Sequence, residues 1–161
     1  MSHPHLPVSS ILTLCLGNIC RSPMAEGLLR ARLADAGLDI RVDSAGTGGW
    51  HIGEPPDPRT IETARRNGID LSGLRGRRLS PEDFHDFDLI LAMDAANVAA
   101  AFEIQSPDGR ARVHLFLDYA SGSPDAVPDP YYGGPAEFQT MFDMLDDATG
   151  SLVRRLQAAC G

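Results

Sequence analysis

The chain has 161 residues, of which 43% are apolar and 22% charged, and its formal net charge is −8 at pH 7. This length and composition suit one globular domain over residues 1–161 and exclude a disordered chain. The acidic balance argues against nucleic-acid binding, because phosphate backbones attract surfaces rich in Lys and Arg. All fourteen basic residues are Arg, which excludes lysine nucleophiles and Schiff-base chemistry.

The N-terminal sequence and the number of cysteines predict the cellular compartment of the protein. No apolar stretch approaches the roughly 20 residues needed to span a bilayer, and residues 1–7 lack a basic segment followed by an apolar run. Three cysteines are an odd number in a chain too large to need covalent stapling, which favours a reducing compartment. We therefore expect a cytoplasmic protein that makes no membrane contact.

The first predicted strand is the apolar run 10–16, and a helix is predicted to follow it after a short loop. Ser22 and Pro23 predict the start of that helix, with Ser as the N-cap and Pro at the first helical position. The helix is expected to run to about Ala36, because Gly37 is a typical C-terminal stop. The loop between strand and helix should then lie at the carboxyl edge of a sheet.

Apolar runs and helical patterns alternate along the rest of the chain. The other predicted strands are 40–44, 89–93 and 113–117. Helices are predicted at 58–67, from Ser80, from an Asp94 cap to about 102, and near the C-terminus. The last has an apolar stripe formed by Phe138, Met141, Phe142, Leu145, Leu152 and Leu156. The predicted class is α/β: a three-layer, doubly wound fold with a central four-stranded parallel sheet and about five helices.

A cysteine and an arginine bracket the loop after the first strand, which reads Cys-Leu-Gly-Asn-Ile-Cys-Arg-Ser from Cys15 to Ser22. Five residues between Cys15 and Arg21 allow successive backbone N–H groups to point at one anion, in front of the positive end of the following helix. A tetrahedral oxyanion fits such a loop. The pattern is not the nucleotide-binding G-x-x-x-x-G-K-[ST] loop, so a bound phosphate group of another kind is predicted.

The same loop predicts a nucleophile and its electrostatic partner. A field that holds a phosphate favours the thiolate over the thiol at Cys15. Arg21 carries a planar fork that bonds two phosphate oxygens at once. The residues predicted to bind the substrate phosphate around them are Leu16, Gly17, Asn18, Ile19, Cys20 and Ser22.

The chain resembles the low-molecular-weight protein tyrosine phosphatase family over nearly its whole length. The matching segments are the loop 15–23, Asp43-Ser44-Ala45-Gly46-Thr47 leading to Trp50, the stretch 68–72, Met93-Asp94 with Asn97, and Asp129-Pro130-Tyr131-Tyr132-Gly133. The resemblance implies hydrolysis of phosphotyrosine and of small aryl phosphates, without metal or cofactor. It implies a two-step mechanism in which the thiolate takes the phosphoryl group and water then releases inorganic phosphate.

The resemblance also assigns roles outside the loop. An Asp-Pro pair taken alone is more often a turn, and it is the match to the family's D-P-Y-Y-G element that implies Asp129 as the general acid. Asn18, Ser22 and Ser44 are implied to form one hydrogen-bond network. Family members often carry a His within 72–77, where this chain has Leu74, so either the loop is looser here or another group fastens Asn18.

Aromatic and sulfur groups near the motif suggest further functions. Trp50, after two glycines, and the pair Tyr131 and Tyr132 are predicted to form apolar walls around a phenyl ring. Cys20 is either packed in the loop or a reversible disulfide partner of Cys15. The five His residues show no ligand spacing with the cysteines, so no zinc site is expected. The histidines are His3, His5, His51, His85 and His114.

Two other functions stay open at this point. A thiol-coupled arsenate reductase of the same fold needs further cysteines for a disulfide relay, and between Cys20 and Cys160 the chain has none. An inactive phosphotyrosine-binding module would lack the nucleophile, the clamp or the acid, and all three are present. We expect a phosphotyrosine-containing protein as the partner and a monomeric enzyme.

Overall fold

A computed structural model describes residues 8–160 of the chain. Within them lie four strands: β1 (Ser10–Cys15), β2 (Arg41–Gly46), β3 (Leu89–Ala92) and β4 (Arg112–Leu115). The six helices are α1 (Arg21–Asp35), α2 (Pro58–Arg66), α3 (Asp83–Asp86), α4 (Ala95–Ile104), α5 (Phe116–Ser121) and α6 (Pro135–Cys160). Residues 1–7, which include His3 and His5, lie outside the described part of the chain.

The strands form one parallel sheet in the order β2-β1-β3-β4. Strand β1 lies in its interior, and its side chains alternate between two apolar layers. Ile11 and Cys15 face the core formed with α1, α2, α5 and α6, whereas Leu12 and Leu14 face the core that includes Phe84 of α3. The α/β class, the three layers and the four-stranded parallel sheet are therefore confirmed.

Two predicted boundaries need correction. The run 113–117 is not all strand: β4 ends at Leu115, and Phe116 and Leu117 open α5, one of the six helices within residues 8–160. Both residues are buried, and an apolar run this short fits a buried helix as well as a buried strand. The helix predicted from Ser80 is the single turn α3, whose Asp83 accepts a hydrogen bond from the Ser80 amide at 2.9 Å.

The start of α1 also differs from the prediction. Helix α1 begins at Arg21 with Cys20 as the N-cap residue, so Ser22 lies in the first turn and does not cap the helix. The Ser22 carbonyl accepts a 2.8 Å hydrogen bond from the Thr13 hydroxyl of β1, which links the first turn of α1 to the sheet. The sequence signal was real, but the Ser22 hydroxyl is engaged in the site described below.

Other predicted features are as expected. Gly37 has φ 71° and ends α1, and the Asp94 carboxylate caps α4 by accepting from the Asn97 amide at 2.8 Å. The six residues of the predicted apolar stripe on α6 are all buried. Of the helices described, none is long and apolar enough to cross a membrane.

Candidate active site

The site lies where β1 ends and α1 begins, in the middle of the carboxyl edge of the sheet. Cys15 is the last residue of β1, and Arg21 is the first residue of α1. Strand β1 lies between β2 and β3, so the chain leaves it at the point where neighbouring connections diverge to opposite sides. This is the position at which open α/β sheets bind ligands.

Backbone hydrogen bonds hold the loop open toward its concave side. The carbonyls of Cys15 and Leu16 accept from the amides of Thr47 and Gly48 at 2.9 Å, and the Ile19 carbonyl accepts from Asp57 at 2.9 Å. Within residues 8–160, the N–H groups of residues 17–20 find no protein acceptor. Backbone donors are thus available for an anion, as the spacing of the motif predicts.

The thiol of Cys15 is held by a buried polar network. Its Sγ lies 3.0 Å from the hydroxyl of Ser22, and the Asn18 amide donates to Ser22 Oγ at 2.8 Å and to Ser44 Oγ at 2.9 Å. Asn18 has a left-handed φ of 58°, which Asn tolerates better than most residues. Its Oδ1 accepts from the Arg77 backbone amide at 3.0 Å. This chain has Leu74 in the segment where family members often carry a His. Here the Arg77 backbone N–H holds the Asn18 side chain, so no histidine is needed for this contact.

Arg21 is 3% exposed and is oriented from two sides. Its Nη1 donates to Asp94 Oδ2 at 2.7 Å and to the Val127 carbonyl at 3.0 Å, while Nη2 lies 3.7 Å from Asp129 Oδ2. The orienting role of Asp94 was missed, because its cap position gave it a sufficient explanation. The signal available was its place at the carboxyl end of β3, directly beside β1.

A cavity of about 230 Å³ opens above the loop. It is lined by Cys15, Leu16, Gly17, Ile19, Cys20, Arg21, Trp50, His51, Asp129, Tyr131 and Tyr132. The structure thus brings the predicted nucleophile, clamp and acid together with the three predicted aromatic residues. Asn18 and Ser22, also predicted to bind substrate, lie buried behind the loop and do not line the cavity. His51 was missed, since its only feature in the sequence is that it follows Trp50.

Comparison with known proteins gives the family. The profile described as "Low molecular weight phosphotyrosine protein phosphatase" matches residues 10–160. The chain belongs to this family. A low molecular weight phosphotyrosine protein phosphatase of Schizosaccharomyces pombe is 45% identical over 91% of this chain and 96% of its own length.

Solved structures of family members have the same fold. The crystal structure of YfkJ from Bacillus subtilis superimposes with a TM-score of 0.85 at 41% identity, covering 96% of this chain and 98% of its own. A protein tyrosine phosphatase from Entamoeba histolytica with Hepes in the active site gives a TM-score of 0.86 at 32% identity, covering 94% and 99%. The fold expected from the resemblance is therefore shown.

The aromatic rim of the phosphatase site is far more exposed than its loop. Trp50 is 69% and Tyr132 is 96% exposed. The rings of Tyr131 and Tyr132 meet edge to face at 5.0 Å, and the Arg59 guanidinium of α2 lies 5.4 Å from the Tyr131 ring centroid. Trp50, the sole tryptophan, is therefore not part of the core.

The second cysteine of the loop, Cys20, is also buried. Burial raises the pKa of Cys20 to about 12. Cys20 therefore stays a thiol near neutral pH, while both Cys15 and Cys20 are free in the structure. Within the described residues there is no cluster of three or more His, Cys, Asp or Glu side chains that could hold a metal ion.

Proposed function

We propose that the protein hydrolyses phosphotyrosine in protein substrates, and small aryl phosphates, through a cysteinyl-phosphate intermediate. Cys15 is the nucleophile, Arg21 the phosphate clamp and Asp129 the general acid and base. The observation that supports these roles is that all three residues line one cavity of about 230 Å³ above a loop with free backbone N–H groups.

In the first step the Cys15 thiolate attacks phosphorus, and the bond from phosphorus to the aryl oxygen breaks. The backbone N–H groups of the loop and the Arg21 guanidinium bind the three non-bridging oxygens, whose charge is held in place without reorganisation. Asp94 keeps the guanidinium oriented by accepting from its Nη1. The Ser22 hydroxyl, 3.0 Å from Sγ, stabilises the thiolate before attack.

Asp129 supplies the proton that the departing phenolate needs. Its Oδ1 accepts from the Tyr131 amide at 3.1 Å, which fixes the carboxyl at the cavity wall, and its Oδ2 is 3.7 Å from Arg21. In the second step the same carboxylate takes a proton from water as the water oxygen attacks phosphorus. The phosphorus–sulfur bond breaks, and inorganic phosphate leaves with the thiolate restored.

The shape of the cavity supports an aromatic substrate. Trp50, Tyr131 and Tyr132 line the cavity together with the loop and offer flat apolar surfaces to a ligand. A phenyl ring between them places its phosphate at the Cys15 end. Because the rim is exposed, a phosphotyrosine on a protein surface has access to the site, so a phosphoprotein is the proposed partner.

The experiment is to measure turnover of p-nitrophenyl phosphate and a phosphotyrosine peptide with and without chelator. We expect turnover of both substrates and no effect of the chelator. Cys15→Ser should abolish turnover but retain phosphate or vanadate binding, since a hydroxyl is a far weaker nucleophile. Cys160→Ser serves as the control thiol and should behave as the parent protein.

Two results would contradict the proposal. Turnover of the Cys15→Ser variant close to that of the parent would mean that the nucleophile lies elsewhere. Thiol-dependent arsenate turnover exceeding aryl phosphate turnover would favour the reductase of the same fold.

A further inference from the structure

An arginine without a partner lies beside the aromatic rim of the cavity. Arg78 is exposed, and within residues 8–160 its side chain makes no hydrogen bond, ion pair or aromatic stacking contact. Among the other arginines of these residues, only Arg112 shares this lack of partners. A guanidinium left to solvent in a chain of net charge −8 is free to bind an anion from another molecule.

The backbone fixes the place of Arg78 relative to Cys15. Cys15 pairs with Gly46 of β2 in the register of the sheet, and Gly46 forms a parallel bridge with Arg78 on its other side. The Gly46 amide donates to the Arg77 carbonyl, and the Gly46 carbonyl accepts from the Leu79 amide, both at 2.8 Å. Two strand spacings therefore separate Arg78 from Cys15, which is about 10 Å.

Gly49 leaves an open surface between Arg78 and the rim. A Cβ atom at Gly49 would lie 3.3 Å from Ile52 Cδ1, 3.6 Å from Arg78 Cδ and 3.9 Å from Arg78 Nη1, so both side chains adjoin this exposed glycine. Gly49 directly precedes Trp50, and Ile52 is 61% exposed. A peptide that lies against Trp50 therefore meets an uncovered backbone, an apolar side chain and the Arg78 guanidinium at one place.

The carboxylates of the neighbouring segments are paired with other cations. Asp83 accepts from both Nη groups of Arg77 at 3.0 Å. Glu54, whose carbonyl accepts from the amide of residue 76, pairs through its carboxylate with the His51 ring. Because these acids are already engaged, Arg78 is left as the positive charge of this surface that no acid of the chain neutralises. An acidic group of another molecule complements it.

We propose that Arg78 is a specificity residue that pairs with an acidic side chain close in sequence to the substrate phosphotyrosine. An extended chain advances about 3.3 Å per residue, so two or three residues cover the distance of about 10 Å from Cys15 to Arg78. The inference rests on the proposed function in placing the phosphotyrosine at Cys15. It adds the class of substrate: segments that carry Asp or Glu beside the phosphotyrosine.

The test compares two phosphotyrosine peptides that differ only in charge. One has Asp within about three residues of the phosphotyrosine on both sides, and the other has Asn at the same positions. The readout is the ratio of kcat/KM for the acidic peptide to kcat/KM for the neutral one, in which general effects on the chemical step cancel. Since the chain as a whole repels an acidic peptide, the proposal concerns the change of this ratio on substitution of Arg78.

Arg78→Gln should lower the ratio about threefold, the scale of one exposed ion pair, and Arg78→Glu about tenfold, because repulsion replaces attraction. Arg78→Lys should keep the ratio, since an exposed ion pair depends on the charge and not on the planar fork. The matched control is Arg112→Gln, which removes the same charge from the other unpartnered arginine, at the start of β4 and the opposite edge of the sheet. It should leave the ratio unchanged.

Two outcomes would overturn the proposal. In one, Arg78→Gln leaves the ratio unchanged; in the other, Arg112→Gln lowers it equally, which would mean that only the overall charge matters. Fluorescence anisotropy with the Cys15→Ser protein, with and without Arg78→Gln, gives the corresponding ratio of Kd values and needs no turnover. A parent protein without turnover would reject the proposed function, whereas a Kd ratio that depends on Arg78 would still support this inference. A Kd ratio that does not depend on Arg78, or no binding of either peptide, would reject it.

Discussion

The loop 15–22 and the aromatic rim meet in one cavity but are built in opposite ways. Loop residues such as Asn18 and Arg21 are almost wholly buried, and each is held by two or more hydrogen bonds. The rim residues Trp50 and Tyr132 are exposed, and the Asp129 side chain is 45% exposed. Under the proposed function, the ordered loop stabilises the phosphate charge, and the exposed rim is the surface that meets the substrate.

The largest expected effect is that of substituting Arg21, the proposed phosphate clamp in the buried loop. Arg21→Lys should lower kcat/KM about 10²–10³-fold, because an ammonium cannot keep Asp94 and bond two phosphate oxygens in one plane. Steady-state kinetics with p-nitrophenyl phosphate measure the loss. Arg32→Lys, a surface ion-pair residue on the same helix, is the matched control and should be unaffected. A loss below about tenfold, or 1.4 kcal/mol, would show that the planar fork is not needed.

The next effect concerns Asp129, the proposed acid, which lines the cavity with both regions. Asp129→Asn should slow phenyl phosphate about a hundredfold but p-nitrophenyl phosphate much less, since proton donation matters most for a basic leaving group. Single-turnover rates for aryl phosphates of graded phenol pKa should show a steep negative dependence in the variant only. Asp125→Asn, on the same exposed segment, is the control.

Parallel plots for the parent and the Asp129→Asn variant, offset only in rate, would contradict the acid role. Asp129 would then position the loop or the substrate. The proton donor would have to be sought among the other carboxylates, beginning with Asp125.

The smallest effect is expected at the exposed rim. Trp50→Ala should raise KM for aryl phosphates about threefold to tenfold with little change in kcat, the scale of one aromatic contact. Phe102→Ala, an exposed aromatic residue of α4 outside the cavity, should leave both constants unchanged. If kcat falls while KM stays constant, Trp50 acts on the reacting geometry, and the division between loop and rim would not hold.

Much of the fold follows from local sequence patterns. Apolar periodicity predicts strand β1 and the buried stripe of α6. Gly37 predicts the C-terminal end of α1, and Asp94 predicts the N-terminal end of α4. All of these signals act over one or two turns. The error at Phe116 has the same origin, because a short apolar run does not distinguish a buried strand from a buried helix. The tertiary structure distinguishes the two, because α5 packs against α6 and against the sheet strands β3 and β4.

The spacing of the anion loop could be read from the sequence alone, because Cys15, Arg21 and the residues between them are contiguous. The tertiary structure decided which distant groups complete the site. Asp94, His51 and the Arg77 amide approach the loop from distant parts of the chain. Asp94 is 73 positions from Arg21 along the chain, and Arg77 is 59 positions from Asn18. Hydrogen bonds act over about 3 Å, and only the folded sheet brings such separated donors and acceptors within that distance.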